Sequence, residues 1–567
     1  MPLTGNVISF SVSITARNIV LISSIIEIND GSRCPTSGRL IASSTEGGTS
    51  LGPGPINVRA GGINFSGVIA ASLAASLDSG NGFGHFQLIA ATTAQLVSEL
   101  RAIVGDDAVI ADEQELLVYE CDAYTLQRNL PTAVVLPKTT DEVAAIVKLC
   151  NRLSLPIIPR GAGTSLSGGV LAVDGGVMIA VTRMNRVLKI DARNRRALVE
   201  AGCVNAWITR DAEPHGLFFA PDPSSQSACT IGGNVATNSG GPHTLKNGVT
   251  TNHVLGYEMV LPDGTVEWLG VEPDGGEEVP GLDLRGAAIG CEGMFGVVTQ
   301  VLVRLMKTPP AFKTFLGVFE SVDDASQAVS DIIGAGIVPG ALEMMDQLIT
   351  RAVEEAYHFG FPLDAGAVLI VELDGLRDGV EAQGEQVEKI CRKNNAREVR
   401  VAKDDTERAA IWKCRKRAFG AIGRLSPNYV TQDGVVPRSK LPEVMRFIKQ
   451  TSEKHGLRIP NVFHAGDGNI HPLILYDERN PGEVQRALAA GHDILEKCIA
   501  LGGSVTGEHG IGAEKIDFMP KQFSEDDLDA MKMLRRAFDP DQRCNPHKMF
   551  PGGKRCAEFA PRKQARA

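Results

Sequence analysis

The sequence predicts an α+β fold, two mixed domains in series, and three observations carry that expectation. The chain has 567 residues, 43% hydrophobic and 22% charged. That is the balance of a folded soluble protein, and at ~100–200 residues per domain it allows two to four domains. Short β-like runs alternate with stretches of helical period from about residue 93 onward. A Pro309-Pro310 pair interrupts the alternation and marks the boundary between the two domains.

Residues 1–90 stand apart. They hold eight charged residues and 27 Gly or Ser, and the first lysine of the chain is Lys138. The apolar run over 18–28 is shorter than the ~20 residues of a membrane span. Residues 1–10 lack the basic start of a secretory signal. The expected division is therefore a loosely ordered, low-complexity extension over 1–91, a first domain over 92–308, a second over 309–552 and a tail over 553–567.

From Thr93, Leu96, Leu100 and Ile103 share one helical face. Thr140 is the expected N-cap of a helix that opens on Asp141 and Glu142 and buries Val143, Ile146, Val147 and Cys150. Strands are expected over 156–159, 177–181, 197–201 and 257–261, the last ending at Pro262-Asp263-Gly264. In the second domain, 322–333 reads as a helix, 367–373 as a strand and 484–501 as a long amphipathic helix. Ser524 with Asp527 forms a capping box for a helix running to Phe538.

The net charge of −10 would repel phosphate backbones, which excludes nucleic-acid binding as the main task. Eleven cysteines without a CxxC pair supply neither a zinc ribbon nor an iron–sulfur motif, and their odd count fits a cytoplasmic protein.

Three glycine-rich loops lie between residues 159 and 296. The first, Arg160-Gly161-Ala162-Gly163-Thr164-Ser165 through Gly168-Gly169, frees the backbone to turn several N–H groups toward one anion. It is no dinucleotide fingerprint, because Leu166 stands where the third glycine belongs, and no P-loop, because no lysine follows. Cys229 through Pro242 is a second such loop, and Gly290 through Gly296 a third. Several neutral, donor-rich loops in one domain suit a diphosphate that carries a large buried aromatic group, and a flavin dinucleotide meets that description.

The motifs PRGAGTSLSGG, FAPDPSS, CTIGGNVATNSGG and GCEGMFGVVT resemble the FAD-binding domain of the vanillyl-alcohol-oxidase-type flavoproteins. The later motifs narrow the resemblance to the FAD-linked 2-hydroxy-acid dehydrogenases, over roughly 92–552. It implies a two-subdomain FAD-binding domain of the PCMH type, followed by an α+β cap domain with an antiparallel sheet. It further implies that Arg160, Gly161, Ala162, Gly163, Thr164, Ser165, Gly168 and Gly169 hold FAD, with Pro221, Asp222 and Ser224. Gly232, Gly233, Asn234, Thr237, Asn238, Glu292, Gly293, Gly296 and Val297 complete the lining. Asn545 and Lys548, in an NPxK-like signature, close it. Thr164 occupies about the place where covalently tethered members carry a His, so the FAD is expected to be non-covalent.

His464 and His471 flank a Gly-Asp-Gly-Asn core, and Glu508-His509 follow within Gly507–Gly512. A seven-residue spacing puts two side chains on opposite faces of a straight strand, but the Gly-Asp-Gly core is turn chemistry that can fold them together. Two His and one carboxylate make a divalent-metal site with open positions. In the resembling dehydrogenases His464, His471 and Glu508 hold the metal (zinc, manganese or iron), and His509 is the base. Metal binding lowers the pKa of a substrate hydroxyl and a neutral imidazole takes the proton. Asn469 is the candidate to polarise the developing carbonyl. The family pattern marks Arg415 as the clamp for the substrate carboxylate. Arg438 is a second candidate, and Lys413, Lys416 and Arg417 read as a solvated basic face.

The expected function is oxidation of a small 2-hydroxy acid, glycolate or D-lactate, to the 2-oxo acid, with the hydride passing to flavin N5. Thr431 stands where members selective for 2-hydroxyglutarate tend to have Lys, which argues for the smaller substrate. LSPNYVTQDGVVPR and HAGDGNIHPLILYDERNPGE are most similar to the glycolate-oxidising branch. D-2-hydroxyglutarate or another D-2-hydroxy acid is the alternative within the family. A metal-dependent hydrolase of a phosphorylated substrate is the alternative of another class. Electrons are expected to leave for a non-oxygen acceptor: partner flavin and iron–sulfur subunits, a quinone or a soluble carrier. Any membrane association would be peripheral and run through such partners at the inner face.

Overall fold

A computed structural model describes residues 82–274 and 281–551, together with five short strands between Ser9 and Arg59. The chain divides into two compact units, 1–99 and 100–567. In the first, Ser9–Thr15 pairs antiparallel with Asn18–Ile25, which also takes Ile41–Ala42, and Ser37–Arg39 pairs with Asn57–Arg59. Helix Gly82–Val104 runs across the division. The tail over 553–567 lies outside the described residues.

Three sheets organise the second unit. The first has four strands in the order Val109–Ile110, Ala133–Val135, Val177–Ala180 and Ile157–Arg160, the last three parallel. Helix Thr140–Leu153 buries Val143, Ile146, Val147 and Cys150, as its period predicts. Its cap lies one residue earlier than expected. Thr139 Oγ1 accepts the Glu142 N–H at 3.2 Å, while the Thr140 hydroxyl donates to Glu258 Oε1 at 2.5 Å. Either hydroxyl could cap; the one with a distant carboxylate in reach is drawn away.

The second sheet is antiparallel, in the order Val187–Asp191, Arg196–Glu200, Val297–Arg304, Val254–Val260 and Val266–Gly270. The third has seven antiparallel strands: Ala396–Val401, Ala311–Phe319, Ala367–Gly375, Ala341–Asp346, Val462–His464, Asn469–Ile470 and Gly434–Val435. Both its faces are covered, so its central strand is apolar at nearly every position rather than alternating. Ala367, Leu369, Val371 and Leu373 pack in one core with helices Val322–Gly334, Arg377–Lys393 and Leu441–His455. Val368 and Ile370 pack in the other with Gln347–Tyr357 and Asp405–Ile422.

Helices Val322–Gly334 and Glu483–Ala500 match the expected spans closely. The Ser524–Asp527 capping box opens helix Glu525–Phe538. The chain then returns to the first sheet, where Cys544 bridges Ile157 in parallel. No helix among the described residues is long and apolar enough to cross a membrane.

Candidate active site

The glycine loops converge on one cavity of about 680 Å³, within the ~300–1,000 Å³ of small-molecule pockets. Residues 161–166 and 232–237 form much of its wall, with Arg160, Gly169, Ser224, Glu292, Gly293, Gly296 and Val297. Missing side chains create this space. Gly163 sits at φ +71°, and a Cβ there would run into Arg160; one at Gly161 would run into the Thr230 hydroxyl.

Six residues expected at the cofactor are not on that wall. Asn545 sends its amide to the carbonyls of Gly169 (2.8 Å) and Glu292 (2.6 Å), tying the first glycine loop to the third. Lys548 is fully buried and donates to the carbonyls of Leu171 and Pro546. Asp222 accepts from His243 Nδ1 at 2.9 Å, and the Pro221 carbonyl accepts from Asn205. Asn238 caps its helix in the left-handed region and accepts from Thr251, while Gly168, at φ +74°, turns the chain against Leu171. These six shape the cradle from behind.

The same cavity is also lined by His471, Glu508 and His509. His464 pairs in register with Asn469, so the intervening turn, with Gly468 at φ +82°, folds the motif into a hairpin. The His464 and His471 rings then stand 5.1 Å apart, edge to face. Glu508 Oε1 lies 3.1 Å from His464 Nε2 and 3.3 Å from His471 Nε2. His509 stacks on His471 at 4.9 Å. Asn469 packs against Gly507, and its Oδ1 is buried without a hydrogen-bond partner.

Two acids that the sequence reading passed over hold this cluster. Glu343, in strand Ala341–Asp346, accepts from His464 Nδ1 at 2.7 Å and fixes which nitrogen faces Glu508. Its other oxygen takes Arg415, 2.7 Å from Nε, so the expected clamp lies behind His464 and off the cavity wall. Arg415 Nη1 is buried and unbonded. Asp433 accepts the backbone N–H groups of Gly507 and His509 (2.9 Å each) and Glu508 (3.2 Å), plus the Thr506 hydroxyl. Glu343 stands inside the otherwise apolar stretch 341–345, which was the available signal for it; Asp433, between Gln432 and Gly434, reads as an ordinary turn acid. Glu292 does similar work for Ile511 and Gly512, at 2.7 Å each.

The electrostatics separate the imidazoles. Burial pushes His509 down to about 4 against the pull of Asp433, and His471 adds to the push. For His464 burial also opposes the charge, but Glu343 and Glu508 outweigh it and hold the pKa well above the usual value.

A divalent cation fits this donor set. His464, His471 and Glu508 bring one ligand atom each within 4.8 Å of one another. The 3.1 and 3.3 Å separations are those of two ligands ~2.1 Å from one ion at angles between octahedral and tetrahedral. Glu508 Oε2 is buried without a partner, as a further lone pair facing such an ion would be. FAD fits the glycine-lined wall by donor chemistry.

The family pattern for an FAD binding domain matches residues 131–270, and that for the FAD linked oxidases, C-terminal domain, matches 308–549. The chain is 47% identical over 460 residues to the glycolate oxidase subunit GlcD of Escherichia coli (strain K12), covering 81% of this chain and 92% of that one. It is 41% identical to the Bacillus subtilis (strain 168) GlcD over 434 residues, 76% and 92% of the two chains. It is 30% identical to a D-lactate dehydrogenase of Anaerostipes hadrus, over 81% and 97%. Among solved structures, p-cresol methylhydroxylase with substrate bound superposes with a TM-score of 0.67 at 20% identity, over 80% of this chain and 96% of that one. That likeness establishes the PCMH-type fold alone.

Proposed function

The chain belongs to the family of FAD-linked 2-hydroxy-acid oxidases and dehydrogenases, and from that premise we propose that it oxidises glycolate or D-lactate to the 2-oxo acid with a bound divalent metal. One observation carries the reading: a single cavity is lined both by the glycine loops and by His471, Glu508 and His509.

When bound, the flavin accepts the α-hydride at N5 and the metal lowers the pKa of the substrate hydroxyl. His464, His471 and Glu508 would hold that metal. His509, with its pKa near 4, is neutral at pH 7 and takes the hydroxyl proton on its ring nitrogen. Arg415, held on Glu343, steadies His464 from behind, and Asn469 packs against Gly507 beside Glu508 and His509. The four-residue Asp433 network keeps loop 506–509 from relaxing between turnovers. Electrons leave for a non-oxygen acceptor. The relatives named as subunits support partner subunits in that role.

The deciding experiment is anaerobic mixing of the purified yellow protein with glycolate and with the D and L forms of lactate and 2-hydroxyglutarate. Bleaching by glycolate or D-lactate, abolished by a chelator that leaves the flavin bound, is the expected result. A colourless protein, or a flavin that no 2-hydroxy acid bleaches, overturns the reading.

A further inference from the structure

Helix Asp405–Ile422 carries Arg408, Trp412, Lys413, Lys416 and Arg417 at spacings of four, one, three and one, a single stripe along its length. With His243 they line a second recess, of about 460 Å³. The acids beside it are already committed. Glu372, fully buried, accepts from Arg408 Nε and Nη2 at 2.8 Å each, from Trp412 Nε1 at 2.5 Å and from the Thr314 hydroxyl at 2.7 Å. Asp222 is held by His243, and Asp374 by Lys246.

The mouth is different. Lys413, Lys416 and Arg417 are exposed, and none is ion-paired with a carboxylate among the described residues; Arg417 only rests over the Tyr357 ring, 4.9 Å away. Lys416 lines this recess and the active-site cavity both. The solvated basic face read from the sequence is thus exposed, but it is not an isolated patch. One of its lysines stands at the junction of two cavities.

We propose that this recess is an entry site for small carboxylate anions, which Lys413, Lys416 and Arg417 gather and Lys416 passes into the active-site cavity; the inference rests on the hydroxy-acid reading above. The protein's net charge of −10 repels such a substrate, and a local cationic mouth reverses the field where the substrate must enter. Lysine suits a transient contact: a hydrated point charge on a flexible stem attracts a carboxylate without the bidentate grip that would retain it.

The test is stopped-flow, anaerobic flavin reduction by glycolate and by D-lactate, between about 0.01 M and about 1 M salt, where the screening length falls from about 30 Å to about 3 Å. In the wild type the second-order rate constant should fall steeply with salt. In Lys413→Gln/Lys416→Gln/Arg417→Gln it should be about tenfold lower at low salt and nearly salt-independent. The control Arg193→Gln/Lys389→Gln/Lys449→Gln, with the same charge change at exposed positions outside both cavities, should behave as wild type. An unchanged salt slope in the first triple variant overturns the entry site. So does an effect confined to reoxidation, which would mark the recess as a docking surface for an acidic electron acceptor. Absence of reduction in the wild type would instead sink the hydroxy-acid reading itself.

Discussion

Asp433→Asn should be among the most damaging single substitutions in the protein, and the structure gives the size of the effect. An asparagine keeps one acceptor oxygen, so the bonds from Gly507, Glu508, His509 and Thr506 weaken rather than vanish. Charged acceptors contribute about 1.5–3 kcal/mol per bond and neutral ones about 0.5–1.5, a loss of roughly 1 kcal/mol for each well-made contact. The larger effect falls on Lys515. Its ammonium lies 3.5 Å from Asp433 Oδ2 and its side chain is only 1% exposed. Removing one member of a buried pair costs about 3–5 kcal/mol, because the other charge stays buried. Allowing for overlap, Asp433→Asn should lose ~4–6 kcal/mol in urea unfolding. Lys515→Met leaves Asp433 its backbone donors and should lose only about 1–2 kcal/mol. The double variant buries no charge and should be more stable than Asp433→Asn alone. Simple additivity of the two losses would refute the pairing and with it the account of what holds loop 506–509.

Two further expectations follow from the same site and its surroundings. His509→Ala should keep its yellow colour and its metal yet reduce flavin about 10²–10⁴-fold more slowly; reduction near the wild-type rate would remove His509 as the base. His243 predicts a pH effect on stability. Burial disfavours its charge, but Asp222 and then Glu372 override this and raise its pKa from 6.5 to about 10. A raised pKa stabilises the fold fully below pH 6.5 and loses that contribution as pH rises through about 10. The shift corresponds to at most about 5 kcal/mol, and screening at a side chain one-quarter exposed should reduce it to ~2 kcal/mol. Unfolding free energy measured from pH 6 to pH 10 should therefore decline more in the wild type than in His243→Gln, and equal slopes would contradict the assignment.

Local signals were legible where the physics is local. Helical period found Val322–Gly334 and Glu483–Ala500, and Ser524 with Asp527 announced its helix, because amphipathic faces and caps are written within one or two turns. Glycine density pointed to the cavity wall, since close approach of backbone requires that no Cβ intervene. What stayed hidden depends on register between distant segments. Nothing near Asn545 says that its amide joins two loops more than 250 residues upstream, and nothing in ALEMMD says that Glu343 will meet His464 across a strand pair. Lys416 was read correctly as exposed, but only the packing of its helix shows what it is exposed to.

That packing explains why a sheet with two apolar cores tolerates buried carboxylates. Glu343 and Glu372 lie on neighbouring strands, and both point toward helix Asp405–Ile422. Glu372 holds Arg408 and Trp412; Glu343 holds Arg415. The helix is thus fastened at positions i, i+4 and i+7, the residues that recur on one face. Apolar packing alone fixes such a helix weakly along its axis, because one buried Ala or Cys substitutes for another at little difference in energy. Two charge-assisted fastenings remove that freedom, since any slip would leave a carboxylate buried and unpaired. The register they impose places Lys416 and Phe419 at the cavity and Arg415 behind His464. The buried acids therefore determine where the helix presents its cations, and through Glu343 the position of His464 and that of Lys413, Lys416 and Arg417 have one structural origin.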